Sequence, residues 1–483
     1  MMSLLGDSAD IVKRTLEYGK VSGVFYYIEG LADAKKLADF MQLTASIALQ
    51  NNDMQECAND HCSCRLFANR VGGNLGRTVS EAVNAIVQGD TAVFLEGCCH
   101  AILLGTRGWA ERAIDEPATE QVVRGPRDGF TESLRTNTGH LRRRIKDPNL
   151  RFDRIVIGEK SRTEINVAYI DGTVKEGLVE EVKARLNDIR IDGILESGQI
   201  EEMIEDAPLS PFTTIQSTER PDKVAASLLE GRAAVFVDTT PFVLVMPTRF
   251  WEQLQASDDY YTKFWMGSFF RLVRFIAFII SLTLPSIYVM LVSFHHEMIP
   301  TGLAYTIASG REVIPFPVLM EAILLETAFE LIREAGLRMP KPVGQAVSIV
   351  GSLIIGQSAV QAGVVSPFLV IVVALTGISS FAVPNYTASF SIRILRFPLL
   401  IASGTMGLVG FAGMFFLIVL HALSLRSFGE SYLAPATPFH PTDQKDLVFR
   451  WPWWAMRKRP VMAQGENRMA KDQMPKPPNK ERK

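Results

Sequence analysis

The chain has 483 residues and a formal net charge of −2, which excludes a strong electrostatic pull toward nucleic acid or toward an acidic surface. Its length leaves room for a membrane unit and about two soluble domains. Charged residues make up 21% of the whole, yet none lies between Pro342 and Ile392, which excludes a wholly soluble protein.

No basic stretch followed by an apolar run opens the chain, so no cleaved signal is expected in the lead, residues 1–20. The cysteines (Cys57, Cys62, Cys64, Cys98, Cys99) all fall in the first third, a pattern that suggests reduced thiols over a disulfide framework. Cys57-x4-Cys62-x-Cys64 with His61, and Cys98-Cys99-His100, could surround a zinc ion, but the spacing is unusual for one.

Comparing the chain with itself gives its organisation. Tyr27-Ile28-Glu29-Gly30 recurs as Tyr169-Ile170-Asp171-Gly172, an offset of 142 residues. At that offset, without gaps, Gly89 to Trp109 matches Gly231 to Trp251 in seven of 21 positions, including the closing Thr-Arg-x-Trp. Two copies of one domain are expected, residues 21–110 and 163–252, of α/β or α+β class. Each copy has a strand, a helix, a second short helix and a final hairpin. Trp109 and Trp251 should take equivalent places.

Between the copies, residues 111–162 read as a basic connector with arginines from Arg124 to Arg151. It has few aromatics for base stacking, so a solvated helix face or a subunit contact is favoured over nucleic acid, with contact to anionic headgroups a lesser alternative. Gly158-Glu159-Lys160-Ser161 lacks the earlier glycine of a phosphate loop. No nucleophile–base pair or paired carboxylates mark a catalyst, and no cofactor motif is complete.

After a linker, residues 253–268, a membrane region is expected at 269–425. Crossings read at about 275–294, 343–365, 367–383 and 397–420, each near the 20 or so apolar residues that a bilayer requires. Pro285 in the first implies a kink whose freed carbonyl must find a donor. A helix at 316–335 carries Glu326, Glu330 and Glu334 on one face, and lies in the interface or spans with its acids beside water. If it does not span, Arg393 and Arg396 fall outside, against the positive-inside rule. From Gly344, small residues recur at Ser348, Ser352, Gly356, Ala359 and Gly363, a stripe suited to helix packing. This stripe and the acidic stripe are the candidate pore or packing residues. The tail, 426–483, is basic and tryptophan-bearing and ends in a polar stretch without core-forming residues.

VVRGPRDGFTESLRTNTGHLRRRIKDPNLR, DGILESGQIEEMIED, TERPDKVAASLLEGRAAVFVD, REAGLRMPKPVGQAVSIVGSLIIGQSAVQAGVVSP, SFGESYLAP and WAMRKRP together resemble the A subunit of GerA-type spore germination receptors. A stage V sporulation paralogue of that family is also similar, but SFHHEMIPTGLA and SFGESYLAP look more like the receptor type. The resemblance implies a multi-pass protein of the bacterial endospore inner membrane, with its soluble N-terminal domain in the cytoplasm and no catalytic role. It implies a transporter-like B subunit that binds the nutrient, a lipoprotein C subunit, and A subunits oligomerised around a gated path for monovalent cations. The Cys57–Cys64 loop departs from the family pattern. A self-sufficient solute transporter is the competing class, and four or five crossings are few for one.

Overall fold

The computed structural model describes residues 2–6, 8–18, 21–50, 68–96, 98–108, 116–117, 119–339, 356–456 and 458–464. They form two compact units, one of Met1–Pro208, Ile215–Thr248 and Trp453–Lys483, the other of Leu209–Thr214 and Arg249–Pro452.

The first unit contains two five-stranded sheets. In its first lobe β1 (Ile11–Tyr18) and β2 (Val21–Ile28) form a hairpin, followed by α1 (Ala34–Gln50), β3 (Asn74–Gly76), α2 (Val79–Val87), β4 (Thr91–Leu95) and β5 (Ala101–Leu104). The second lobe runs α3 (Leu134–Arg144), β6 (Leu150–Ile157), β7 (Thr163–Ile170), α4 (Leu178–Asp188), α5 (Ser197–Ile204), β8 (Gln216–Thr218), α6 (Pro221–Leu229), β9 (Ala233–Val237) and β10 (Val243–Met246). Strand orders are β1-β2-β4-β5-β3 and β6-β7-β9-β10-β8. All pairings are antiparallel, the α+β arrangement of the two that the sequence allowed.

The 142-residue offset holds to the level of single residues in the strands from β2 and β7 onward, whereas β1 and β6 are 139 apart. Gly23 faces Leu95 as Ile165 faces Val237, and Tyr26 faces Ala92 as Ala168 faces Ala234. Gly30 and Gly172 follow β2 and β7 at φ 90° and 75°, a left-handed turn open to glycine at little cost. At Gly30 a Cβ would also stand 2.7 Å from the Arg135 carbonyl oxygen.

Each sheet begins one strand before the expected copy. β1 and β6 carry charges on their wet faces as edge strands, and this alternation hid them within the lead and the connector. The connector is corrected accordingly: α3 is packed, with Leu134, Leu141 and Ile145 in the core around Phe236. Its arginines have specific tasks. Arg142, fully buried, donates from Nε to Asp10 Oδ2 at 2.7 Å and from Nη2 to Asp10 Oδ1 at 3.0 Å. Ser8 Oγ accepts from the same Nη2 at 3.2 Å, and the Phe152 amide donates to Ser8 Oγ at 2.9 Å. The segment entering the first sheet is thereby bonded to the first helix and strand of the second lobe.

Cys98 is disulfide-bonded, which corrects the reduced-thiol expectation for that residue, and Cys99 is free and exposed. Cys57, Cys62, Cys64 and Trp109 lie outside the described residues. Among the described residues no group of three His, Cys, Asp or Glu could hold a metal ion.

The second unit is helical: α7 (Phe264–Phe294), α8 (Thr301–Ser309), α9 (Val318–Arg338), α10 (Pro367–Phe381) and α11 (Tyr386–Ser424). Among the described residues α7 and α11 are long and apolar enough to cross a membrane, and α10 is apolar but shorter. α7 starts inside the expected linker. The expected crossing at 397–420 is not one straight helix, because α11 reverses at Gly407 (φ 61°, ψ −137°). A Cβ on Gly410 would run into the Ala402 carbonyl oxygen, eight positions back and about 12 Å away along a straight helix. The first arm, 386–406, runs alongside α7, with Arg396 against Ser281 and Gly407 against Phe294. The second arm returns: His421 meets Ser210 and Phe212, and Phe212 lines a small cavity with Phe250, Phe278 and Ile392.

Arg142→Leu leaves Asp10 buried and unpaired and should cost about 3–5 kcal/mol, read as a lower thermal midpoint, while Arg143→Leu at an exposed neighbour costs well under ~1 kcal/mol. Burial, with the Glu205 and Glu196 carboxylates nearby, raises the Glu201 carboxyl from 4.5 to about 7. A raised acid stabilises the fold fully below its unfolded value, and that contribution is lost as pH rises through about 7. Glu201→Gln should therefore flatten the fall in melting temperature between pH 5 and pH 8 that the parent shows.

Candidate functional site: a buried charge ladder

α9 is the one long helix of the second unit whose apolar face carries acids, and each is met from within the chain. At its first turn Glu321, fully buried, lies 2.8 Å from Arg311 and accepts the Ser366 amide at 3.1 Å. Ser366 caps α10 through Leu369 N–H at 3.2 Å and lies 3.2 Å from the Tyr288 hydroxyl. One turn and a half along α9, Arg396 Nη1 donates to Glu326 Oε2 at 2.6 Å, with both side chains 1% exposed. The next rung is Glu330, bonded to Arg393 Nη1 at 3.0 Å and lying 3.5 Å from Arg333. Arg333 also donates to Ser380 Oγ at 3.0 Å. Only Glu334, paired with Arg338, stands at an exposed surface.

Arg396 does a second job. Pro285 has no N–H, so the carbonyl of Ser281, four residues back, loses its helical donor. Arg396 Nε supplies it at 2.8 Å. One guanidinium thus joins α7, α9 and the first arm of α11. Chemically the ladder is a set of carboxylates each matched by at least one guanidinium. Its carboxylates are committed to guanidiniums and present no ring of free acids to a passing cation.

Glu326, Glu330 and Glu334 all lie on α9, and the partners of the first two come from a distant helix. Arg393 and Arg396 are three apart, one turn, and face Glu330 and Glu326 across an antiparallel pair. They are inside the helical unit and not beyond its edge. Of the small-residue stripe, Gly344, Ser348 and Ser352 lie outside the described residues. Gly356 lies against Val370. Gly363 is not on the stripe's helix face: at φ 66° it ends the helix, with its N–H on Val360 and that of Val364 on Ala359.

A second cluster closes the other end of α7. Asp259, 1% exposed, receives Arg274 at 2.5 Å and Arg271 at 3.3 Å, and Arg271 also donates to Asp446 Oδ1 at 2.9 Å. Ser268 and Arg450 exchange hydrogen bonds at 3.0 and 3.1 Å. The stretch after α11 is in this way tied to the stretch before α7.

The family pattern described as Bacillus/Clostridium GerA spore germination protein matches residues 1–462. This chain belongs to the GerA family. It is 43% identical over 98% of its length, and 87% of the relative's, to spore germination protein KA of Bacillus subtilis (strain 168). It is 42% identical to the uncharacterized membrane protein YfkQ of the same organism, covering 94% of this chain and 88% of that one. Among solved structures it is similar to the N-terminal domain of the A subunit of the Bacillus megaterium spore germinant receptor GerK3. That match has 33% identity, covers 52% of this chain and 92% of that one, and has a TM-score of 0.40.

In this GerA-family chain, Arg396→Met should cost about 3–5 kcal/mol by stranding Glu326, against ~0–1 kcal/mol for Arg338→Met at the surface. Pro285→Ala returns a donor to the Ser281 carbonyl. Combined with Arg396→Met it should recover about 1 kcal/mol, one hydrogen bond, measured as a double-mutant cycle in thermal unfolding.

Proposed function

We propose that the chain is the A subunit of a nutrient germinant receptor in the inner membrane of a bacterial endospore, anchored there by its helical unit. It works with a transporter-like B subunit that binds the nutrient and with a lipoprotein C subunit, and its copies assemble around a gated path for monovalent cations. The observation that carries the membrane part is the ladder. Arginine and glutamate fully buried together in apolar helices are expensive anywhere, and in lipid they persist only as pairs.

The crossings are α7, α9, the uncharged run 343–365, α10 and the two arms of α11, an even number. The bonds that tie Asp446 and Arg450 to Arg271 and Ser268 support this, because they require both ends of the helical unit on one face. Arg271, Arg274 and Arg450 gather there, so that face is cytoplasmic. Counting α9 as spanning and α11 as two arms removes the positive-inside conflict at Arg393 and Arg396.

Within the acidic stripe, Glu326 and Glu330 hold helices together, and Glu334 is the acid left to face a path between copies. The test is nutrient-triggered release of monovalent cations from spores. The protein should remain in the inner-membrane fraction through alkaline washing and leave it with detergent. Glu334→Gln should slow cation release at normal protein level, whereas Glu326→Gln should lower the protein level itself. Normal release from Glu334→Gln spores would remove that residue from the path. Absence of the chain from the membrane fraction would remove the whole reading.

A further inference from the structure

The inner end of the ladder is not electrically closed. Glu330 is one carboxylate serving two guanidiniums, those of Arg393 and Arg333. The adjoining Glu326–Arg396 pair adds one charge of each sign, so two carboxylates here face three guanidiniums. Arg333 and Arg393 are 10% and 7% exposed, and among the described residues Arg333 Nε has no hydrogen-bond partner. Arg396 Nη2 and Glu326 Oε1 belong to a single ion pair of opposite charges, so they leave the charge count unchanged.

The missing negative charge has no source in the apolar run, since Pro342 to Ile392 contains no acid. Glu321 is committed to Arg311 and Glu334 to Arg338, and Lys341 adds a further positive charge after α9. Compensation inside the fold is partial. The Arg333 guanidinium lies 5.1 Å from the Phe329 ring centre and 4.5 Å from that of Phe381, and it meets the last turn of α10 at Ser380. Aromatic faces and a helix carbonyl end offset part of a charge, the latter about half of one.

We propose that Arg333 and Arg393 bind a phosphate-class anion, supplied by a lipid headgroup or by free phosphate. Guanidinium forks match phosphate oxygens in geometry as well as charge. α9 runs against α7, so its Arg333–Arg338 end lies toward the start of α7, the face assigned above to the cytoplasm. Anionic headgroups attract juxtamembrane arginine and lysine on that face. This site rests on the membrane reading, whose failure would show separately in the fractionation experiment.

The test is thermal unfolding of the full chain in neutral detergent with added phosphatidylglycerol, phosphatidylcholine or inorganic phosphate. Phosphatidylglycerol should raise the midpoint by several degrees beyond phosphatidylcholine, and Arg333→Gln should abolish that difference, whereas Arg338→Gln at the surface should keep it. An equal shift with inorganic phosphate assigns the site to the free anion, and a shift with the lipid alone assigns it to the headgroup. Equal responses to both lipids with none to phosphate would overturn the proposal. So would an unchanged lipid response in Arg333→Gln.

Discussion

The helical unit depends on one guanidinium. Arg396 neutralises Glu326 and at the same time gives a donor to the Ser281 carbonyl that Pro285 leaves free. Each of these groups alone would be costly in apolar surroundings. A proline kink leaves an orphan acceptor, and an acid or an arginine leaves a bare charge. Together they cancel, and the three helices that carry them acquire one relative placement. Packing of leucine and valine faces could tolerate a slide by one turn, but this arrangement cannot, because a slide would separate charge from countercharge.

The two-lobed unit follows the same logic with a different partition of work. Within each lobe the hydrophobic alternation and the glycine turns suffice, and they are repeated almost position for position at the 142-residue offset. Between the lobes the repeat gives no instruction, since a duplicated sequence specifies a domain twice and not how the two meet. That information is in residues outside the repeat: Ser8 and Asp10 before the first hairpin, and Arg142 on α3. A buried bidentate pair is suited to this task because its geometry is specific even where its net contribution to stability is modest.

Much of this was legible in the sequence, and the rest fails for identifiable reasons. The offset from Tyr27 to Tyr169 revealed both lobes because identical turns need identical glycines. β1 and β6 were missed because an edge strand with one wet face reads as polar chain. The arginines of α3 looked like a solvated run, since sequence shows charge but not the aspartate 132 positions away that covers it. Periodicity alone puts the acids of α9 on one helix face. Their partners lie 63 and 70 positions on, and no local pattern connects them. The reversal at Gly407 was invisible for a related reason: four glycines at 404, 407, 410 and 413 look alike, and only one takes a positive φ.

The ladder also bears on where a cation could travel. An acid attracts a cation only with charge left over, and Glu326 has given its charge to Arg396 within the same chain. Glu330 is shared between two guanidiniums, so its surroundings repel cations. A path along the middle of the helical unit is therefore disfavoured by its own electrostatics, whatever its width. The remaining acid of the stripe, Glu334, stands at an exposed surface with Arg338, where a neighbouring copy or solvent can compete for it. On the reading proposed above, conduction would belong between chains, with the paired interior of each as a wall.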